Sequence, residues 1–157
     1  MRVGFGLDIH PLICDIKMIL GGVEIPFEKG IKGHSDGDAL VHAIVDGLLG
    51  AMGEGDIGEH FPDTDPKWKN ASSIKFFELC NKMLNQKLLK IENIDTTILL
   101  EKPKLGPYKT QMKENIAKAL HIDLSQINVK ATREEGLGYI GKSDGIAVYS
   151  VVCLSNQ

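Results

Sequence analysis

An aspartate and a histidine two positions apart, Asp8-x-His10, together with a second histidine at position 42, are the side chains in this 157-residue chain best suited to hold a metal ion. Residues i and i+2 of a strand project side by side, and a helix-borne imidazole can complete a three-ligand site with an open fourth position, the stoichiometry of catalytic zinc. Structural zinc wants four protein ligands, usually with thiolates, and Cys14, Cys80 and Cys153 are not placed to supply them. Spacing alone leaves other readings open. The three residues would look the same as polar decoration of a strand and a helix. Two histidines and a carboxylate also make the facial triad of a non-haem Fe(II) oxygenase, and a non-catalytic ion could hold together a metal-stabilised oligomer.

A second group suits phosphate. Gly33-His34-Ser35-Asp36-Gly37-Asp38 is a polar, glycine-punctuated turn running straight into the segment that bears His42. A helix starting there would offer unpaired N–H groups and the positive end of its dipole to an anion, with His34 in reach of it. Ser35-x-x-Asp38 also has the form of a capping box, so His34 and Ser35 could be doing capping alone. Glu134 and Glu135 are oxygen donors of the kind Mg²⁺ prefers, as are Asp56, Asp63 and Asp65, although adjacent loop acids are commonly just solvated and Asp63-Thr64-Asp65 also reads as a turn. The run Gly136-Leu137-Gly138-Tyr139-Ile140-Gly141 spells GxGxxG, but Lys142-Ser143-Asp144 and an apolar strand follow it instead of a helix. A dinucleotide-binding turn is rejected on that ground.

These residues need elements to position them. Residues 1–10 alternate strictly, with Val3, Phe5, Leu7 and Ile9 on one face and Arg2, Gly4, Gly6, Asp8 and His10 on the other. Met18-Ile19-Leu20, Gly21-Gly22 and Val23-Glu24-Ile25 read as a two-residue hairpin closed by Pro26. Residues 38–52 carry a broad apolar helical face, with Asp38, His42 and Asp46 on one polar stripe. Residues 53–69, rich in Gly, Pro and Asp, read as a site loop. Helices are expected at 71–86 and 108–120, and strands at 93–100, 127–132 and 145–154, with 133–144 as a Glu- and Gly-rich connector. The order predicts an α/β domain with helices on one face of a mixed sheet.

Composition narrows the function classes. With 43% hydrophobic and 25% charged residues the chain reads as a single globular domain over 1–157, neither disordered nor membrane-embedded. A net charge of −3 without a basic cluster argues against nucleic acid as a partner. Three scattered cysteines without a CxxC pair fit a reducing cytosol, and the first ten residues read as a strand and not as a signal peptide.

Taken in order, Gly6-Leu7-Asp8-Ile9-His10, Leu20-Gly21-Gly22-Val23-Glu24-Ile25-Pro26, Gly33 to Asp38 leading to His42-Ala43, Gly55-Asp56-Ile57-Gly58, Phe61-Pro62-Asp63-Thr64-Asp65, and the stretch 138–147 resemble the 2-C-methyl-D-erythritol 2,4-cyclodiphosphate synthase family. The resemblance runs from Arg2 to about Leu154. It implies a ferredoxin-like subunit, with a mixed four-stranded sheet covered by helices plus a small β-hairpin, assembled as a homotrimer with active sites between subunits. It also implies a reaction in the non-mevalonate isoprenoid pathway: the 2-phosphate of 4-diphosphocytidyl-2-C-methyl-D-erythritol 2-phosphate attacks its own β-phosphorus and expels CMP. Attack of one phosphate on another must overcome charge repulsion, which cations and positioning relieve.

The family pattern further implies Zn²⁺ on Asp8, His10 and His42, and Mg²⁺ or Mn²⁺ on Glu135. His34 and Ser35 match the grip on the attacking phosphate, with His34 catalytic; Asp56, Ile57 and Gly58, with Phe61, Pro62, Asp63, Thr64 and Asp65, match the pocket for the methylerythritol hydroxyls. Leu100, Pro103, Lys104, Leu105 and Gly106 match the wall that holds cytidine, and Thr132 a phosphate-contacting hydroxyl. Arg133 stands where the family usually has a second, catalytic threonine; its guanidinium could neutralise a phosphate but does not reproduce a short hydroxyl contact. Tyr139 and Lys142 replace the usual phenylalanine and arginine facing the trimer's central channel. A bacterial cytoplasm, or a plastid after removal of a transit peptide, is the implied location.

Overall fold

The computed structural model describes all residues, Met1–Gln157. The alternating N-terminal segment forms strand β1 (Arg2–Cys14), which runs on past residue 10. Its inward face is the glycine face: Gly4 and Gly6 are buried, whereas Val3, Phe5, Leu7 and Ile9 are 65%, 59%, 42% and 52% exposed. Strands β2 (Met18–Leu20) and β3 (Val23–Ile25) form the expected hairpin, with Gly21 and Gly22 at φ 57° and 70°. Two successive positive φ angles make the type I′ turn that matches strand twist, and glycine adopts them without strain. Strand β4 (Lys29–Ile31) then pairs with the end of β1, Leu12 opposite Ile31.

Helix α1 (Ala39–Met52) follows, capped by Asp38, whose side chain accepts from Val41 N, and ended by Gly53 in the left-handed region. Ser35 is therefore not the cap, because the helix starts three residues later than the capping-box pattern places it. Asp38, on the polar stripe with His42 and Asp46, is fully buried and accepts the amides of Gly21 and Gly22 at 2.9 and 2.7 Å, tying the hairpin to the start of α1. A short α2 (Ile57–His60) and a turn at Pro66–Trp68 order the loop 53–69. Helix α3 (Phe76–Gln86), strand β5 (Leu89–Leu99), helix α4 (Lys109–Leu120), strand β6 (Ile127–Thr132), one turn of helix α5 (Gly138–Gly141) and strand β7 (Gly145–Asn156) complete the chain.

The main sheet has five strands in the order β4-β1-β7-β5-β6, not four, the difference being the short β4. It is mixed: β5 and β6 are parallel, joined through α4, and the other pairs are antiparallel. Ile94 and Ile98 of β5, and Ile146, Val148 and Val152 of β7, enter one buried apolar cluster with α1, α3 and α4. Helix α1 lies almost backbone to backbone on β1. A Cβ on Gly4 would meet Gly47 O at 1.9 Å, and one on Gly6 would meet Ala43 O at 1.9 Å. On the opposite face Phe5 and Tyr149 bring ring centroids to 6.0 Å, and Val151 is 43% exposed beside them.

Candidate active site

The close approach of α1 to β1 puts His42 over the strand residues that follow the two glycines. His10 Nε2 lies 2.7 Å and His42 Nδ1 3.4 Å from Asp8 Oδ2, and the two imidazole nitrogens are 3.4 Å apart. The three donors all fall within 4.8 Å of one another. Each ring is held from behind. His10 Nδ1 donates to Lys32 O at 2.8 Å, and His42 Nε2 meets Ser35 Oγ at 3.0 Å and Ser73 Oγ at 2.9 Å.

With its hydrogen on Nδ1, neutral His10 aims the lone pair of Nε2 at Asp8 Oδ2, a buried oxygen that then has no hydrogen-bond donor. Lone pairs converging in a buried site are relieved by a proton or by a cation. The proton solution shows in the ionisation of the metal-free chain. Burial works against the Asp8 charge, but hydrogen bonds from His10 and His42 outweigh it and hold the carboxyl below the usual range. Burial likewise pulls His10 down, and Asp8 beside it more than compensates, lifting the imidazole above its ordinary value. Two imidazoles, one carboxylate and an unsatisfied buried oxygen fit a divalent cation of zinc type.

This cluster sits in a cavity of about 200 Å³ lined also by His34, Ser35, Ile57, Gly58, Phe61 and Asp63. The fold thus gathers most of the site residues expected from the first half of the chain. His34 Nε2 is 3.1 Å from Asp65 O. Asp56, Pro62, Thr64 and Asp65 stay off the cavity lining: Asp56 caps α2 by accepting Glu59 N at 3.1 Å, and Asp65 caps the next turn through Lys67 N at 2.9 Å. Trp68 and Phe76 line the cavity without having been singled out from sequence. Phe76 stacks on Phe61 and on His42, with centroids 4.1 and 5.8 Å apart. Ser73 is likewise visible only in three dimensions.

Most of the remaining candidates form a second pocket of about 490 Å³ that shares no lining residue with the first. Leu100, Pro103, Lys104, Leu105, Gly106 and Thr132 line it, together with Arg133 and Glu135. Arg133 Nη2 lies 3.6 Å from Glu135 Oε1, both side chains exposed. Within one chain, then, Glu135 is not beside the Asp8 cluster, and Tyr139 and Lys142 join neither pocket. The GxGxxG run contains the single turn α5 and leads directly into β7, in keeping with the rejection of a dinucleotide site.

The chain matches the YgbB family over residues 1–155. It is 58% identical to a 2-C-methyl-D-erythritol 2,4-cyclodiphosphate synthase of Clostridium perfringens over 98% of this chain and 99% of that one. It is 54% identical to the protein of that name from Geotalea uraniireducens, with both chains covered in full. Among solved structures it superposes on the bifunctional IspDF of Campylobacter jejuni with a TM-score of 0.91 at 43% identity, covering 99% of this chain and 42% of that longer one. It superposes on a 2C-methyl-D-erythritol-2,4-cyclodiphosphate synthase in its CDP-bound form with a TM-score of 0.89 at 33% identity, over 98% of this chain and 100% of the other. No helix is long and apolar enough to cross a membrane.

Proposed function

The chain belongs to the YgbB family and carries the family's cyclodiphosphate synthase activity, and from that premise we propose how its two pockets divide the work. It is a cyclising phosphorus–oxygen lyase of isoprenoid biosynthesis, converting 4-diphosphocytidyl-2-C-methyl-D-erythritol 2-phosphate to 2-C-methyl-D-erythritol 2,4-cyclodiphosphate and CMP. One P–O bond forms between the 2-phosphate and the β-phosphorus, and the bond from the β-phosphorus to the CMP oxygen breaks. The oxygenase and non-catalytic readings have no support among these relatives.

Asp8, His10 and His42 hold Zn²⁺, and Glu135 holds Mg²⁺ or Mn²⁺. When bound, such cations supply Lewis acidity and neutralise phosphate charge. His34 and Ser35 grip the attacking phosphate at the mouth of the Asp8 cluster, while Ile57, Gly58, Phe61 and Asp63 orient the methylerythritol and exclude water. Asp56, Pro62, Thr64 and Asp65 shape that loop from behind. Leu100, Pro103, Leu105 and Gly106 receive cytidine, and Lys104, Thr132 and Arg133 face its phosphates. The Arg133 guanidinium offers charge where a hydroxyl is usual, so it steadies the phosphates by neutralisation.

The two pockets supply complementary halves and lie apart in one chain, which supports a homotrimer whose neighbours bring Glu135 to the Asp8 cluster. The exposed apolar face of Val3, Phe5, Leu7, Ile9, Tyr149 and Val151 is the surface such copies would cover. Tyr139 and Lys142 would then lie near the assembly's axis. The chain acts as one domain, and its three free thiols suit the cytoplasm.

The convergence of Asp8 Oδ2, His10 Nε2 and His42 Nδ1 on the floor of the cavity that His34 and Ser35 line carries this reading. CMP release from the diphosphocytidyl substrate, followed by chromatography, tests it: release should require Zn²⁺ and Mg²⁺ together and vanish in Asp8→Asn and His42→Ala. No release with both metals supplied would sink it.

A further inference from the structure

Ser73 is fully buried and lines no part of the cavity, yet it touches the metal cluster from behind. Its Oγ lies 2.9 Å from His42 Nε2, 3.0 Å from Ser35 Oγ and 2.5 Å from Asp36 Oδ1. Asp36 also accepts Ser73 N on Oδ2 at 3.1 Å and Asp38 N on Oδ1 at 3.2 Å. The two amides around this carboxylate are both donors.

A hydroxyl has one hydrogen to give and two lone pairs to receive with, and a carboxylate only receives. The Ser73 hydrogen therefore goes to Asp36. What Ser73 has left toward His42 is a lone pair, so Nε2 must carry the hydrogen of the neutral ring. That leaves the lone pair on Nδ1, the atom 3.4 Å from both Asp8 Oδ2 and His10 Nε2. We propose that Asp36, acting through Ser73, is a positioning pair that fixes His42 in the Nε2–H tautomer and so presents Nδ1 to the divalent cation.

The arrangement divides the work of two serines. Ser35 also reaches His42 Nε2, at 3.0 Å, but it lines the cavity where Ser73 does not. With the His42 hydrogen taken up by Ser73 and the Ser73 hydrogen by Asp36, the Ser35 hydroxyl keeps its own hydrogen to give, to Ser73 Oγ at 3.0 Å or to an anionic ligand in the cavity. His10 receives the corresponding service from a backbone carbonyl, that of Lys32. Outer contacts of this type set ring orientation and tautomer at metal sites.

The inference rests on reading Asp8, His10 and His42 as the cation site, and the experiment separates the two. Zinc affinity is measured by competition with a chromophoric chelator on the full chain and on Ser73→Ala, Ser73→Thr and Asp36→Asn. The His42 tautomer is read from long-range ¹⁵N–¹H correlations of the zinc-loaded chain, and metal-free melting temperatures are recorded alongside. Zinc on Nδ1 of a ring protonated at Nε2 is expected, with affinity reduced about 10- to 100-fold in Ser73→Ala and Asp36→Asn and restored in Ser73→Thr. Asp36→Asn keeps the side-chain shape and decides the matter should Ser73→Ala not fold. A wild-type chain that holds no divalent cation overturns the site reading and this inference together. Unchanged affinity in the folded variants, even with a lowered metal-free melting temperature, or a His42 hydrogen on Nδ1, overturns this inference alone.

Discussion

Gly6→Ala places a methyl group where the backbone of α1 already stands. The added Cβ would lie 1.9 Å from Ala43 O and 2.7 Å from Gly47 N, against the 3.0 Å that real Cβ contacts respect, so strand and helix must separate by at least 1.1 Å. Ala43 is the neighbour of His42, while Asp8 and His10 follow Gly6 on the strand, so the separation falls directly between the metal donors. Zinc–nitrogen distances tolerate only about 0.2 Å, whereas overpacking costs a fold about 1–3 kcal/mol. Zinc affinity should therefore collapse while the chain still folds, and CMP release should fall about 100-fold, the usual effect of misplacing a reacting group by about 1 Å. Gly50→Ala is the control: it is exposed on the same helix, its Cβ would find only Gly4 Cα at 4.0 Å, and it should stabilise by about 0.5–1 kcal/mol without touching zinc. Chelator competition, thermal unfolding and CMP release on both variants make the test. A folded Gly6→Ala chain with lowered melting temperature but wild-type zinc affinity would refute the claim that glycine spacing sets the metal geometry.

Asp8→Asn and Glu135→Gln should each be inactive alone, and co-assembled from a refolded mixture they should recover part of the activity, because some interfaces would pair an intact Asp8 cluster with an intact Glu135; no recovery would count against sites shared between copies. The metal-free chain should lose stability as pH rises above 6.5 through the raised value of His10, and as pH falls below 3.8 through the lowered value of Asp8, since each shift favours the charged form in the folded state. Zinc must displace the His10 proton, so its affinity should climb with pH over the same upper window and its binding should release protons in calorimetry. Cys80 is buried, with its thiol pushed up to about 12, so a thiol reagent should modify exposed Cys14 in the native chain and reach Cys80 only on unfolding.

Period-2 alternation named β1 as a strand and placed Asp8 and His10 on one face, and the hairpin at Gly21-Gly22 followed from turn chemistry. Three-residue β4 was not legible, because Lys29-Gly30-Ile31 has no alternation to detect and is a strand only because Leu12 to Cys14 lie beside it. The helix start misled for a related reason: Ser35 fits a local capping pattern, but its hydroxyl is engaged by His42 and Ser73, and Asp38 takes the cap. Phe76 stacked on His42, and Ser73 behind it, join residues 31 to 38 positions apart in contacts that local periodicity does not encode.

The alternation of β1 also could not say which face turns inward, and the answer links the site to the proposed assembly. Burying the apolar face of Val3, Phe5, Leu7 and Ile9 against α1 would interpose side chains and hold the helix away from the strand backbone. His42 would then stand too far from the strand to share an ion with Asp8 and His10. Turning Gly4 and Gly6 inward brings α1 onto the strand backbone and closes the triad. A strand has only two faces, so the same choice drives four large apolar side chains outward beside Tyr149 and Val151, leaving a surface that another copy of the chain would cover. On this reasoning Phe5→Glu should dissociate the assembly, lowering the mass in light scattering to the 17.2 kDa of one chain, and abolish CMP release while each chain keeps its own zinc affinity. A monomeric Phe5→Glu chain that still releases CMP at the wild-type rate would break the link between the two faces.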